Sequence, residues 1–158
     1  MIEINITDDM LVKAREKAVE MGKLNNSILN GNGNLAGFIG EQIALFVLGG
    51  EWVNTFQYDL IVKGSKVDVK TKQTTVKPLP HYECSITEYN TNQDCDYYAF
   101  TRVKKDFSVG WYLGIIKKHH YFKKARYLKK GEVDESNNYT VRATCYNLAI
   151  EDLQERLE

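Results

Sequence analysis

The sequence predicts an α/β domain in which helices flank one central mixed β-sheet. Apolar residues recur at helical spacing over the first third of the chain, and the pattern then changes to an alternation of period two. The 158 residues match the usual length of one domain, and 43% of them are hydrophobic, which is enough to form a core. We therefore expect residues 1–158 to form a single domain.

The first helix is predicted to begin after Thr7, whose hydroxyl can cap it, and to end near Gly22. Its apolar stripe consists of Met10, Leu11, Ala14, Ala18 and Met21. The stretch "NNSILNGNGN" (residues 25–34) is rich in Asn and Gly and predicts a loop.

A second helix is predicted over residues 35–48, and a double glycine ends it. Gly37 and Gly40 lie inside this helix, although a glycine lowers helix propensity by about 1 kcal/mol. We expect another part of the chain to pack closely against the helix at these two positions, because only glycine leaves room for such an approach.

Three strands are predicted next, in "EWVNTF" (51–56), "YDLIVK" (58–63) and "KVDVKTK" (66–72). Gly64-Ser65 is expected to join the last two as a type II′ turn. Residues 74–94 contain both prolines, and helix and strand stay open for them. The later elements are expected to be two strands in "DYYAFTRV" and "VGWYLGII", a short helix near 119–129, an extended segment in "YTVRATCYNLAI" and a closing helix in "EDLQERL".

The predicted hairpin has one apolar face and one charged face, because alternate residues of a strand point to opposite sides. Asp59 is expected directly opposite Lys70, and about 7–8 Å from Asp68 along the diagonal. Two interpretations stay open. The charged face is either the solvated side of an ordinary hairpin, with an Asp59–Lys70 ion pair, or a site where both carboxylates bind a hard cation such as Mg²⁺. The expected apolar face consists of Tyr58, Leu60, Val62, Val67, Val69 and Thr71.

The segments "GEQIALFVLGG", "YDLIV" and "VDVKTKQ" resemble the PD-(D/E)XK nuclease superfamily, which has the restriction-endonuclease-like fold. The family pattern is an acid on the helix before the sheet, an Asp on the second strand and (D/E)-x-K on the third. These positions fall here on Glu41, on Asp59 and on Asp68-Val69-Lys70. The resemblance covers roughly residues 35–116. Tyr58 replaces the proline that the family often has before the second-strand acid, and the third-strand acid is Asp rather than the commoner Glu.

The resemblance implies a restriction-endonuclease-like core and a Mg²⁺ or Mn²⁺ cofactor. Asp59, Asp68 and the Val69 carbonyl would bind the metal, Glu41 would add to its shell or orient a ligand, and Lys70 would position the attacking water. The implied activity is hydrolysis of DNA phosphodiester bonds to 5′-phosphate and 3′-hydroxyl ends, by an endonuclease rather than an exonuclease, in a homodimer with one active site per strand. A catalytically inactive nucleic-acid-binding or scaffold protein of the same fold is the alternative.

Charge is distributed unevenly, although the net charge is zero. Residues 102–130 contain ten Lys and Arg and one acid, which gives +9. Such a segment is expected either to face DNA phosphates or to be an ordinary solvated stretch. The candidate DNA-contacting residues are Lys72, Gln73, Lys104, Lys105, Lys117 and Lys118.

The three cysteines, Cys84, Cys95 and Cys145, are odd in number and are expected to be small buried side chains in a reducing compartment. That compartment would be the cytoplasm of a bacterium or of a phage-infected host cell. A zinc site that combines them with histidines is the less favoured alternative, because their spacing is not that of paired ligands. The apolar run "IALFVL" is too short to span a membrane, so no membrane association is expected. The histidines in question are His81, His119 and His120.

Overall fold

A computed structural model describes residues 1–24, 35–53 and 55–158 of the chain. The helices in these ranges are α1 (Asp8–Leu24), α2 (Leu35–Leu48) and α3 (Lys118–Lys124). The strands are β1 (Ile2–Asn5), β2 (Glu51–Trp52), β3 (Leu60–Val62), β4 (Ser65–Thr74), β5 (Glu83–Thr87), β6 (Tyr97–Lys104), β7 (Val109–Lys117), β8 (Arg126–Leu128), β9 (Val133–Asp134), β10 (Tyr139–Thr140) and β11 (Cys145–Ala149). The loop that was predicted at 25–34 lies outside the described residues.

Six strands form the main sheet in the order β1-β7-β6-β4-β3-β2. Strands β4 and β6 are parallel, and the other neighbours are antiparallel. The predicted α/β class with a central mixed sheet is therefore confirmed. Helix α1 begins as predicted, with the Met10 N–H donating to Thr7 Oγ1 at 3.2 Å. The buried residues Ala14 and Ala18 join α1 to the core between α2 and the sheet.

The opposite face of the main sheet is covered by α3 and by a three-stranded sheet in the order β5-β11-β8. Tyr98 and Phe100 of β6 contact Tyr121 of α3 in this second cluster. The Tyr121 hydroxyl donates to the Tyr146 carbonyl of β11 at 2.6 Å. Because both faces of β6 are covered, seven of its eight residues are buried.

Several element predictions were wrong. Strand β1 was missed, the strand predicted over 51–56 is reduced to β2, and "EDLQERL" does not form a helix. A single 3₁₀ turn at Ile150–Asp152 is followed by a backbone bridge between Gln154 and Ile115 of β7. Pairing with a sheet strand therefore overrides the local helical propensity of this segment. Residues 74–94, for which both helix and strand were open, contain β5.

The turn of the β3–β4 hairpin also differs from the prediction. Val62 pairs with Ser65, so Lys63 and Gly64 form the turn, and both have positive φ (50° and 80°). Positive φ at both central residues is the type I′ pattern, which matches the right-handed twist of the strands. Leu60 consequently pairs with Val67 rather than with Val69. A shift of two residues keeps Leu60, Val62, Val67 and Val69 on the predicted apolar face. The prediction was wrong for Tyr58, which precedes β3 and packs against the hydrophobic cluster on the opposite face of the sheet.

The close approach predicted for the α2 glycines is confirmed at Gly40 and wrong at Gly37. A Cβ on Gly40 would collide with the hydroxyls of Thr71 in β4 and Thr101 in β6, whereas a Cβ on Gly37 would have nothing within 4 Å. The two hydroxyls hydrogen-bond each other at 2.9 Å. Gly40 thus lets α2 lie directly on the parallel strand pair, and the next residue is Glu41.

The three cysteines are free and buried, as predicted. Within the described ranges, the structure contains no helix with the length and apolar character needed to cross a membrane.

Candidate active site

The candidate site lies where β3 and β4 separate. Strand β3 pairs with β4 only as far as Val67, and the pairing described for 68–74 is with β6. Asp59 directly precedes β3, and its N–H donates to the Val67 carbonyl at 3.0 Å. The Asp59 Oδ2 atom accepts the Val69 N–H at 2.8 Å. A carboxylate therefore occupies the edge of β4 at which a neighbouring strand would otherwise bind.

The Val69 carbonyl belongs to the same edge. In a β-strand, the N–H and C=O of one residue point to the same side. Because the Val69 N–H points to Asp59, the Val69 carbonyl faces the same gap between the strands. The Asp59 carboxyl group and the Val69 carbonyl therefore lie on the same side of β4.

Glu41 and Asp68 complete a group of three buried carboxylates with Asp59. Glu41, Asp59 and Asp68 are 7%, 8% and 4% exposed. The indole N–H of Trp52 in β2 donates to Glu41 Oε2. The solvated-face interpretation of the hairpin is therefore wrong for both aspartates, because the side chains are covered on the folded protein.

Burial and mutual repulsion change the protonation of these acids. Burial first, and then the charge of Asp59, raises the pKa of Glu41 from its ordinary 4.5 to about 8. Burial and the charge of Asp68 raise the pKa of Asp59 from 3.8 to about 7. Burial also raises the pKa of Asp68, against the opposing effect of Lys70. The site therefore favours either bound protons or a compensating positive charge.

The Lys70 ammonium lies 2.7 Å from Asp68 Oδ2, and the Lys70 side chain is 22% exposed. The predicted ion pair between Asp59 and Lys70 was wrong, because the prediction assumed a hairpin register that differs by two residues from the observed one. Lys70 also donates to Gln93 Oε1 at 2.8 Å, while Gln93 Nε2 donates to Asp68 Oδ1 at 3.1 Å. Sequence reasoning missed Gln93, which lies in an irregular segment before β6 with no motif around it.

The donor chemistry of the site fits a hard divalent cation, which prefers carboxylate and carbonyl oxygens. Asp68 Oδ2 is fully buried, and its partner is the Lys70 ammonium at 2.7 Å. In the described parts of the chain, however, no three His, Cys, Asp or Glu side chains are arranged around one point as metal ligands. Each carboxylate turns instead toward its own donor: Trp52 for Glu41, Val69 for Asp59 and Gln93 for Asp68.

The candidate DNA-contacting residues lie at two distances from Lys70. The Lys118 ammonium is adjacent to the site and donates to the Gln93 carbonyl. At the other end of β6, Lys104 pairs with Thr74, four residues along β4 from Lys70 and therefore about 13 Å away. The remaining candidates are Lys72 and Gln73, exposed on β4, Lys105, exposed after β6, and Lys117, whose ammonium is 3.0 Å from Glu158.

The basic segment 102–130 does not face outward as a unit. The interpretation that the whole segment faces DNA phosphates required such an arrangement. Arg102 is 6% exposed and donates to the Glu83 carbonyl. Arg126 is bound by Glu83 and Asp134 at 2.7 and 2.9 Å. These two guanidinium groups stabilise the three-stranded sheet β5-β11-β8. The lysines of the segment are therefore the candidates for contact with phosphate.

Comparison of the chain with protein-family models finds no match, and comparison with curated proteins finds none either. A functional proposal therefore depends on the geometry and chemistry of the site.

Proposed function

We propose that the protein is a divalent-metal-dependent nuclease that hydrolyses DNA phosphodiester bonds. One observation carries the proposal: among the described residues, three buried carboxyl groups lie close together at an edge of β4 to which no strand is paired, and the Lys70 ammonium lies beside them. Burying several carboxylates without matching positive charge is unfavourable, so a site of this kind serves a cation rather than stability. Among hydrolytic sites, two acids and a lysine around such a cation suit attack on a phosphate.

Asp59, Asp68 and the Val69 carbonyl are the groups that would hold Mg²⁺ or Mn²⁺, with Glu41 as a further ligand or an orienting group. The ion would supply positive charge that stabilises the additional negative charge on phosphorus in the transition state. Trp52 keeps one oxygen of Glu41 directed along its indole N–H, and the Val69 N–H does the same for Asp59.

Lys70 is the proposed catalytic lysine. Its ammonium is fixed beside Asp68 and carries three N–H donors, so it can orient an attacking water and stabilise developing negative charge at the phosphate. Half-burial strengthens this electrostatic effect relative to a fully solvated lysine. Hydrolysis with this water as nucleophile would leave 5′-phosphate and 3′-hydroxyl ends.

DNA is the proposed substrate because the half-buried Lys118 and two exposed lysines lie at or near the site along the sheet. Lys118 lies beside Gln93, Lys72 lies two residues beyond Lys70, and Lys105 follows the end of β6. The span of about 13 Å along β4 is comparable with the width of a DNA groove. Contacts of this kind bind phosphate with little dependence on sequence.

The finer fold assignment is also part of the proposal: α2, β3, β4 and β6 would form a restriction-endonuclease-like core. Its support is that Glu41, Asp59 and the Asp68-x-Lys70 pair, which are separate in sequence, converge at one strand edge. An endonuclease acting as a homodimer in the cytoplasm of a bacterium or phage-infected cell is the form of this function that we propose.

Incubation of supercoiled and linear DNA with Mg²⁺, Mn²⁺ or EDTA tests the proposal. Cleavage should require metal and should fall at least about a hundredfold in Asp59→Asn and Lys70→Met. Lys63→Asn is the matched control, because it removes a lysine from the same hairpin at a position whose positive φ suits Asn. Cleavage in EDTA, or full activity in Lys70→Met, would contradict the proposal.

The alternative is an inactive DNA-binding protein with the same site residues. It predicts binding that weakens with salt but no cleavage with any divalent metal. Calorimetry with Mn²⁺ adds a direct reading, since absence of Mn²⁺ binding would exclude the metal-dependent reaction.

A further inference from the structure

We propose that Gln93 is a positioning residue that keeps the Lys70 ammonium at the site when a divalent cation engages Asp68. The inference rests on the proposed function, which makes Asp68 a metal ligand. It concerns a residue outside the three-part motif, in the segment that leads into β6.

Lys70 has two oxygen partners within the described residues, Asp68 Oδ2 at 2.7 Å and Gln93 Oε1 at 2.8 Å. A cation on Asp68 would compete with the ammonium for the carboxylate and repel it. Lysine has a flexible four-carbon stem and loses rotamer entropy when it is fixed. The side-chain carbonyl of Gln93 is neutral, so it can continue to accept a hydrogen bond from Lys70 while the Asp68 carboxylate binds the cation.

The orientation of the Gln93 amide is defined by its two partners. Nε2 donates to Asp68 Oδ1 at 3.1 Å, and this bond turns Oε1 toward Lys70. The reversed amide would place an NH₂ group against an ammonium and an oxygen against a carboxylate, so both contacts would be repulsive. Gln93 therefore donates to the carboxylate and accepts from the ammonium at the same time. An ionised glutamate has no donor and a leucine has neither group, so neither side chain can do both.

The backbone around Gln93 is held on both sides. Its carbonyl accepts from the Lys118 ammonium and from the Cys95 N–H, the latter at 3.1 Å. Asp94 next to it forms a 2.7 Å ion pair with Lys66, and its N–H donates to Gln57 Oε1 at 2.8 Å. A segment anchored to β4, α3 and the 55–58 loop can hold a long side chain in one position.

The test compares Gln93→Leu and Gln93→Glu with Gln154→Leu, a change in another half-buried glutamine, which lies on the C-terminal segment. In Gln93→Leu, kcat for DNA cleavage should fall about tenfold to a hundredfold, the loss expected for a hydrogen bond to a charged group, with KM unchanged. Mg²⁺ affinity, measured by calorimetry, should change by less than about threefold, because Gln93 is not a ligand. Gln154→Leu should behave as wild type.

A second readout does not depend on activity. The ammonium ¹H–¹⁵N resonance of Lys70, assigned with Lys70→Met, should persist in saturating Mg²⁺ in the wild type and in Gln93→Glu, which keeps an acceptor, and should disappear in Gln93→Leu. Persistence of the resonance in Gln93→Leu, or unchanged kcat in that variant, would overturn the inference. If the resonance responds as expected while wild-type protein cleaves no DNA, the positioning role stands and the nuclease proposal fails.

Discussion

Raising the pH in the presence of EDTA should destabilise this protein between pH 5 and pH 8. The folded-state pKa of Glu41 is raised to about 8, and that of Asp59 to about 7. Acids with raised pKa bind protons more tightly in the folded protein than in the unfolded chain. The stability that this binding contributes is fully present below the unfolded pKa values near 4 and is lost as the pH rises toward 8.

The magnitude follows from the size of the Glu41 shift. One pKa unit corresponds to 1.36 kcal/mol, so a change from 4.5 to about 8 corresponds to about 5 kcal/mol. Asp59 acts in the same direction, but part of its shift arises from charges within the same group, so the two values are not added. A loss of about 3–5 kcal/mol over the range is a large share of the 5–15 kcal/mol that stabilises a typical domain.

Urea denaturation followed by circular dichroism at pH 5, 6, 7 and 8 in EDTA measures this loss directly. Glu41→Gln should make the unfolding free energy depend less on pH, since glutamine keeps the shape of the side chain and does not titrate. Glu16→Gln on the exposed face of α1 should not change the slope. With Mn²⁺ present, the wild type should retain its stability at pH 8, because a cation replaces the protons. Stability in EDTA that is constant or rises from pH 5 to pH 8 would refute the argument that the carboxylates are buried together.

Three further predictions concern packing, the tryptophan contact and DNA binding. Gly40→Ala should lower the unfolding free energy by about 2–3 kcal/mol through overpacking, whereas Gly37→Ala should not lower it, as urea denaturation would show; equal effects would contradict the close approach. In Trp111→Phe, which leaves Trp52 as the one tryptophan, fluorescence should change as Mn²⁺ or pH alters the carboxylate that Trp52 binds; an unresponsive signal would contradict that contact. Lys105→Ala should reduce the slope of log affinity for DNA against log salt by about one, measured by fluorescence anisotropy; an unchanged slope would exclude Lys105 from the interface.

Local sequence patterns were sufficient to predict α2 and the strands of the β3–β4 hairpin, whereas Glu41 was singled out by the family resemblance. The bounds of α2 agree because a helical apolar pattern ends at a double glycine, which is a local signal. The hairpin faces agree because side chains alternate whatever the register, provided that the register shifts by an even number. The turn itself was predicted wrongly because Lys63 adopts a positive φ, which is uncommon for lysine and has no signal in the sequence.

Contacts between distant segments were not predictable in the same way. Gln93 reaches Asp68 across 25 residues of chain, and only the pairing of β4 with β6 brings the two together. The three-stranded sheet joins β5 to β11, which are separated by more than 50 residues, so its strands carry no shared local pattern. The surroundings of the two aspartates also come from outside the hairpin, since the Asp59 carboxyl lies beside Glu41 of α2 and Asp68 accepts a hydrogen bond from Gln93.

The position of the site explains how three carboxylates can be buried together. Each acid receives one neutral donor from a different part of the fold, since Trp52 serves Glu41, the Val69 N–H serves Asp59, and Gln93 serves Asp68. These donors reduce the cost of desolvation without cancelling the charge. Lys70 can neutralise one carboxylate, so the folded chain must accept protons or a cation for the others. Among the described residues, no strand pairs with this edge of β4 beyond Val67, and the proposed cation would enter there, because a fully paired sheet would have closed the gap with backbone hydrogen bonds.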